Sequence, residues 1–146
     1  MPDDSPLKPS TVAVHAGRPE RAPDAPLNEP ITMASMYMAG GDVEYSRFGN
    51  PTWTALEEAI GELEGGRCLT FASGLAAVAT VLDLVGIGMK VVCPRHAYNG
   101  TVGQLADLEA RGRITTELVD VTDTDAVVAA CTDAALVWLG SPTNPA

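Results

Sequence analysis

The chain has 146 residues, 46% of them apolar and 19% charged, which is the make-up of a globular domain and not of a disordered or fibrous segment. Nineteen acidic residues against nine basic ones give a formal net charge of −10. No basic stripe accompanies it, which argues against a nucleic-acid partner, because counterion release from a polyanion needs clustered Lys and Arg.

The acidic surplus is dispersed over Asp3-Asp4, Glu57-Glu58 and Asp120 to Asp125 and reads as solvated surface. The opening Met-Pro-Asp-Asp-Ser-Pro lacks the basic and then apolar stretch of a secretory signal. The longest apolar run, Leu75 to Leu82 with Thr80 inside it, falls far short of the roughly 20 residues that cross a bilayer. Cys68, Cys93 and Cys131 have neither metal-ligand spacing nor an even count, and they read as small reduced core residues. Together these features predict a cytoplasmic protein without a membrane partner.

Along the chain, residues 1–50 carry Pro2, Pro6, Pro9, Pro19, Pro23, Pro26 and Pro30, which deny helix and central strand alike and predict an extended arm without a core. At Asn50-Pro51 an N-cap and a first-position proline open a helix. Its Trp53, Leu56, Ile60 and Leu63 share a face, and Gly65-Gly66 ends it. Residues 51–146 then alternate. Strands are predicted at Cys68–Ala72, Val91–Pro94, Thr115–Val121 and Ala135–Leu139, with helices at Gly74–Val85, Thr101–Arg111 and Asp123–Ala130. Thr122 with Asp125 suggests a capping box for the last helix, and Gly112 a stop for the one before it. Short apolar strands joined by helices predict an α/β fold, a parallel sheet with helices on both faces. The helix after Ser73 is apolar nearly all round, so it should be buried on more than one side.

Three segments could carry chemistry. Phe71-Ala72-Ser73-Gly74-Leu75-Ala76-Ala77 puts Ser73 and Gly74 where a helix begins, either as an ordinary cap or as a place where free N–H groups and the helix dipole hold a phosphate. It is neither a Walker loop nor a GxGxxG fingerprint. Tyr98, in Arg95-His96-Ala97-Tyr98-Asn99-Gly100-Thr101, follows a strand and could stack on a flat ring or simply sit half-buried. Tyr45 and Arg47, in Glu44-Tyr45-Ser46-Arg47-Phe48-Gly49-Asn50-Pro51-Thr52, are potential phosphate donors or members of a surface loop. His15 and His96 have no paired nucleophile or ligand and read as structural.

In combination these strings, with Leu63-Glu64-Gly65-Gly66, the opening Thr11-Val12-Ala13-Val14-His15-Ala16-Gly17, Pro30-Ile31 and the final Ser141-Pro142-Thr143-Asn144-Pro145, resemble the cystathionine γ-synthase/γ-lyase family in the same order and at comparable spacing. The resemblance runs from about Thr11 to Pro145. It implies the first half of the large domain of the aspartate-aminotransferase type of pyridoxal-phosphate (PLP) fold, a parallel-sheet sandwich. It also implies a homotetramer built from tight dimers, with a small amino acid as substrate. By position, Ser73, Gly74 and Leu75 would hold the phosphate of PLP, and Tyr98 would be the catalytic and ring-stacking residue. Asn144 would bond the phenolic oxygen, and Tyr45 and Arg47 would reach the neighbouring subunit's phosphate.

The implied activity is γ-elimination or γ-replacement on homoserine-derived or sulfur amino acids, of synthase, lyase or sulfhydrylase type. The Schiff-base lysine and the acid facing the pyridine nitrogen are expected beyond the matched segment, since Lys8 and Lys90 read as surface charges. The 146 residues by themselves are therefore expected to be an incomplete, inactive PLP-binding domain. The alternative is a non-catalytic dimerisation or interaction module, and a plain nucleotide-binding module is disfavoured by the missing glycine fingerprint. Two departures stand out: Gly103 and Gly140 occupy positions where many relatives carry an arginine and a glutamate.

Overall fold

The computed structural model describes residues 7–142, as two compact units that divide between Thr70 and Phe71. The first contains helices α1 (Pro9–His15) and α2 (Pro51–Glu64). The second contains α3 (Gly74–Asp83), β1 (Lys90–Pro94), α4 (Asn99–Ala110), β2 (Thr115–Val119), α5 (Thr124–Ala130) and β3 (Ala134–Val137).

In the first unit α2 forms as its sequence dictates. The Asn50 side chain accepts from the Thr52 N–H at 2.9 Å, Pro51 takes the first turn, and Gly65 leaves the helix at φ 68°. The expectation of an arm without helix is corrected by α1: Pro9 sits in its first turn, where a missing N–H costs nothing. Gly17, at φ 66°, brings the chain against α2 so closely that a Cβ there would lie 2.1 Å from the Ala55 carbonyl oxygen. The rest of residues 17–50 is irregular, with one antiparallel bridge between Met36 and Tyr45. Every buried hydrophobic side chain among the described residues belongs to the second unit. The apolar stripe of α2 stays largely open, with Leu56 at 52% exposure.

The second unit is a three-stranded parallel sheet in the order β2-β1-β3. Val91 and Cys93 point to one face, where Val78 and Leu82 of α3, Leu105 of α4 and Ile114 pack on them. Val92 points to the other, against Val119 and Ala130 of α5. Helices therefore cover both faces, as expected. Burial pushes the Cys93 thiol above its ordinary range. Cys68 and Cys131 are only half-buried, so the reading of all three cysteines as core residues holds for Cys93 alone.

The strand expected at Cys68–Ala72 is absent. The Thr70 N–H and hydroxyl both bond the Glu57 carboxylate, at 2.7 and 2.9 Å, so the donor a ladder would need is already taken by a side chain. The proposed capping box is also corrected. Asp123 caps α5 by accepting from the Ala126 N–H, while the Thr122 hydroxyl turns back to Asp120. The Thr122 backbone N–H and its hydroxyl together hold the Asp120 carboxyl below its usual range. Gly112 does end α4, and the other boundaries shift by one to two residues. Among the described residues no helix is long and apolar enough to cross a membrane, and no cluster of metal-ligating side chains occurs.

Gly17→Ala should cost about 2–4 kcal/mol, because it forces a Cβ into left-handed backbone and against a carbonyl at once. A thermal melt of the variant beside wild type measures this, and an unchanged Tm would show that α1 does not need its close seat on α2.

Candidate functional site

The order β2-β1-β3 follows from two crossovers. From β1 the chain passes through α4 to β2, then returns through α5 across β1 to β3 on its far side. Crossovers of one hand that run in opposite directions must use opposite faces, which is where α4 and α5 lie. The reversal leaves a crevice at the carboxyl ends of β1 and β3, the position where open α/β sheets bind ligands.

A cavity of about 570 Å³ occupies that position, lined by Ser73, Gly74 and Leu75 of the α3 entry, Ala97 and Tyr98 after β1, and Trp138 and Gly140 after β3. Its size is that of a small-molecule site. The Ser73 backbone is extended, and its hydroxyl oxygen accepts from the Ala76 N–H at 3.2 Å. The N–H groups of Ala76 and Ala77 also turn to the Ser73 carbonyl. Among the described residues no acceptor meets the N–H of Gly74 or Leu75. Nothing lies within 4 Å of where a Gly74 Cβ would stand, so an anion can approach these two donors on the positive end of a 10-residue helix.

Tyr98 precedes α4 with 64% exposure and makes no side-chain cap bond, so its ring is available as a flat apolar wall. Thr101, one turn into α4, is 2% exposed and adds a hydroxyl to the same lining. No charged side chain lines the cavity among the described residues. The donor set thus fits a phosphate held by backbone N–H groups beside a planar ring, with the countercharge to come from elsewhere.

Of the residues nominated from sequence, Ser73, Gly74, Leu75 and Tyr98 come together here. Asn144 lies outside the described residues. Tyr45 and Arg47 belong to the first unit, where the Arg47 guanidinium carbon stands 5.1 Å over the Tyr45 ring and Phe48 meets that ring edge-on at 6.2 Å. Ser46 donates to the Ala34 carbonyl and so anchors this turn. Asn50 and Thr52 of the same string are spent on structure. Asn50 donates to the Thr32 carbonyl, while the Thr52 hydroxyl accepts from the Thr32 N–H and donates to the Pro30 carbonyl.

Lys90 stands at the opposite, amino end of β1 and pairs with Glu117 at 3.2 Å, and Lys8 caps α1 in the first unit. Neither lines the cavity. Sequence reasoning did not nominate Thr101 or Trp138, and it singled out Gly140 only as a departure from the family's pattern. Thr101 was visible in the Tyr-Asn-Gly-Thr string, whereas Trp138 and Gly140 become site residues only because β3 lies beside β1.

Ser73→Ala removes the α3 cap and should cost about 0.5–2 kcal/mol, with Ser73→Thr retaining most of it. Denaturant unfolding of the two variants tests this; equal losses would mean that the hydroxyl is not what holds the turn.

A family model described as Cys/Met metabolism PLP-dependent enzyme matches residues 10–146. Human cystathionine gamma-lyase is 35% identical over 144 residues, which cover 93% of this chain and 36% of that protein. The chain thus spans about a third of the length of the curated relatives it matches. The crystal structure of a cystathionine gamma-lyase from Micromonospora echinospora superposes with a TM-score of 0.83 at 38% identity, over 95% of this chain and 38% of that one. A cystathionine gamma synthase from Xanthomonas oryzae pv. oryzae, solved with aminoacrylate and cysteine, gives a TM-score of 0.85 at 29% identity, over 97% and 38%.

Proposed function

Because the chain belongs to the family of Cys/Met metabolism PLP-dependent enzymes, we propose that it forms the phosphate- and ring-binding wall of an active site for γ-elimination or γ-replacement on homoserine-derived or sulfur amino acids. The observation that carries this reading is the meeting of the α3 N-terminus and Tyr98 in one cavity at the sheet's switch point. PLP, when bound, supplies the electron sink for carbanion chemistry.

The residues divide the work of binding and orienting. The N–H groups of Gly74 and Leu75 take the phosphate, Ser73 keeps that turn rigid, and Tyr98 fixes the ring by stacking. Asn144 is assigned the phenolic oxygen on the family resemblance. A cavity lined without cations supports Arg47, with Tyr45, as the source of countercharge, delivered from a neighbouring subunit. The relevant enzyme is then a homo-oligomer, a dimer of dimers acting in the cytoplasm. The positions of Lys8 and Lys90 support a cofactor-anchoring lysine that is neither of them, so these 146 residues alone are proposed to be inactive.

Subunit mixing tests the arrangement. In the full-length enzyme Arg47→Ala should weaken cofactor retention. Mixing it with a variant lacking only the anchoring lysine should restore activity towards roughly a quarter of wild type, since a random hybrid dimer holds one intact site. No recovery on mixing would assign Arg47 to its own subunit's site.

Gly103 and Gly140 leave open space, with nothing within 4 Å of an added Cβ at either. In relatives with an arginine and a glutamate at these positions, the resemblance implies an ion pair whose arginine lies near the substrate's distal end, where it can meet a carboxylate. Losing both members together leaves no buried charge unpaired. The full-length enzyme should therefore favour substrates without a distal carboxylate, such as acetylated homoserine or methionine, over succinylated homoserine or cystathionine. The comparison is kcat/KM for the two classes, in wild type and in Gly103→Arg with Gly140→Glu; a wild-type preference for the carboxylate-bearing class would end the idea.

A further inference from the structure

Gly100 is the second residue of α4, inside a helix where glycine is less favourable than alanine. Its backbone needs no left-handed conformation, since Gly100 is not among the positive-φ glycines. What the glycine there makes room for is the Tyr98 ring. A Cβ on Gly100 would lie 2.5 Å from Tyr98 Cε1 and 3.2 Å from both Cδ1 and Cζ. The ring edge occupies the volume that any larger residue would fill.

The other glycines of this region behave differently. Gly74, Gly103 and Gly140 have nothing within 4 Å of an added Cβ, so none of them makes room for a side chain. Tyr98 also makes no side-chain cap bond, and the residue is 64% exposed. The first turn of α4 is thus one surface against which the ring is seated.

We propose that Gly100 is a positioning residue: its missing side chain is the seat that lets the Tyr98 ring fold back over the start of α4 and present its face to the cofactor ring. The inference rests on the assignment of Tyr98 as the stacking residue. An alanine would push the ring outward by about the width of a methyl group. The helix itself would gain slightly from the exchange.

The test uses the full-length enzyme with Gly100→Ala, Tyr98→Ala and the double variant. It reads PLP affinity by reconstitution of the apoenzyme, the circular dichroism of the bound cofactor, and the apoenzyme Tm. Gly100→Ala should weaken PLP binding about three- to ten-fold and change the cofactor's dichroism, while the apoenzyme Tm stays level or rises. In the Tyr98→Ala background the same substitution should have no further effect on PLP affinity. If Gly100→Ala fails to fold, Tyr98→Ala should bring it back; failure in both backgrounds overturns the proposal.

An unchanged affinity in Gly100→Ala, with Tyr98→Ala impaired, sinks the seat alone. So does an equal loss from Gly100→Ala in both backgrounds. Unimpaired Tyr98→Ala sinks the stacking assignment, and the seat falls with it.

Discussion

The second unit depends on β1. It is paired on both edges, with β2 and β3, and Val91, Val92 and Cys93 are each 0% exposed, so it is closed on both faces as well. A strand in that position must be apolar without alternation, because no side of it meets water. Once it is central, the two clusters of the core are determined by the pleat. Odd-numbered Val91 and Cys93 gather α3 and α4, and Val92 gathers α5. The crevice at the carboxyl ends of β1 and β3 follows from the same placement.

That crevice offers a ligand geometry more than charge. The chain carries a net charge of −10, and the cavity adds no cation of its own among the described residues. An anion can still be held, since the unpaired N–H groups at a helix start are fixed dipoles that need no counterion to point the right way. Backbone donors recognise a phosphate well but neutralise it incompletely.

The first unit has a different basis for its order. It contributes no buried hydrophobic side chain among the described residues and relies on polar ties. Asn50, 5% exposed, holds residues 30–32 to the start of α2 together with Thr52, and Glu57 holds Thr70. Such ties set local shape without excluding water. They leave Met33, Met38 and Phe48 at 92%, 93% and 82% exposure.

The sequence by itself determined what local chemistry decides. Asn50-Pro51 and Gly65 bound one helix, Gly112 ends another, the apolar run at β1 marks the centre of a sheet, and Ser73-Gly74 marks the capped start of a third helix. These signals survive because each acts within a few residues of itself. Pro9 misled in the arm because a proline reads alike whether it breaks a helix or begins one. Only the tertiary structure decided the rest. Glu57 took the Thr70 N–H that the apolar run Cys68–Ala72 had reserved for a strand, and the return of the chain across β1 put Trp138 and Gly140 in one cavity with Tyr98. The volume behind Gly100 likewise exists only once the Tyr98 ring has folded over it. Strand order and side-chain volume are properties of contacts distant in sequence or turned in space, and no local pattern of residues encodes them.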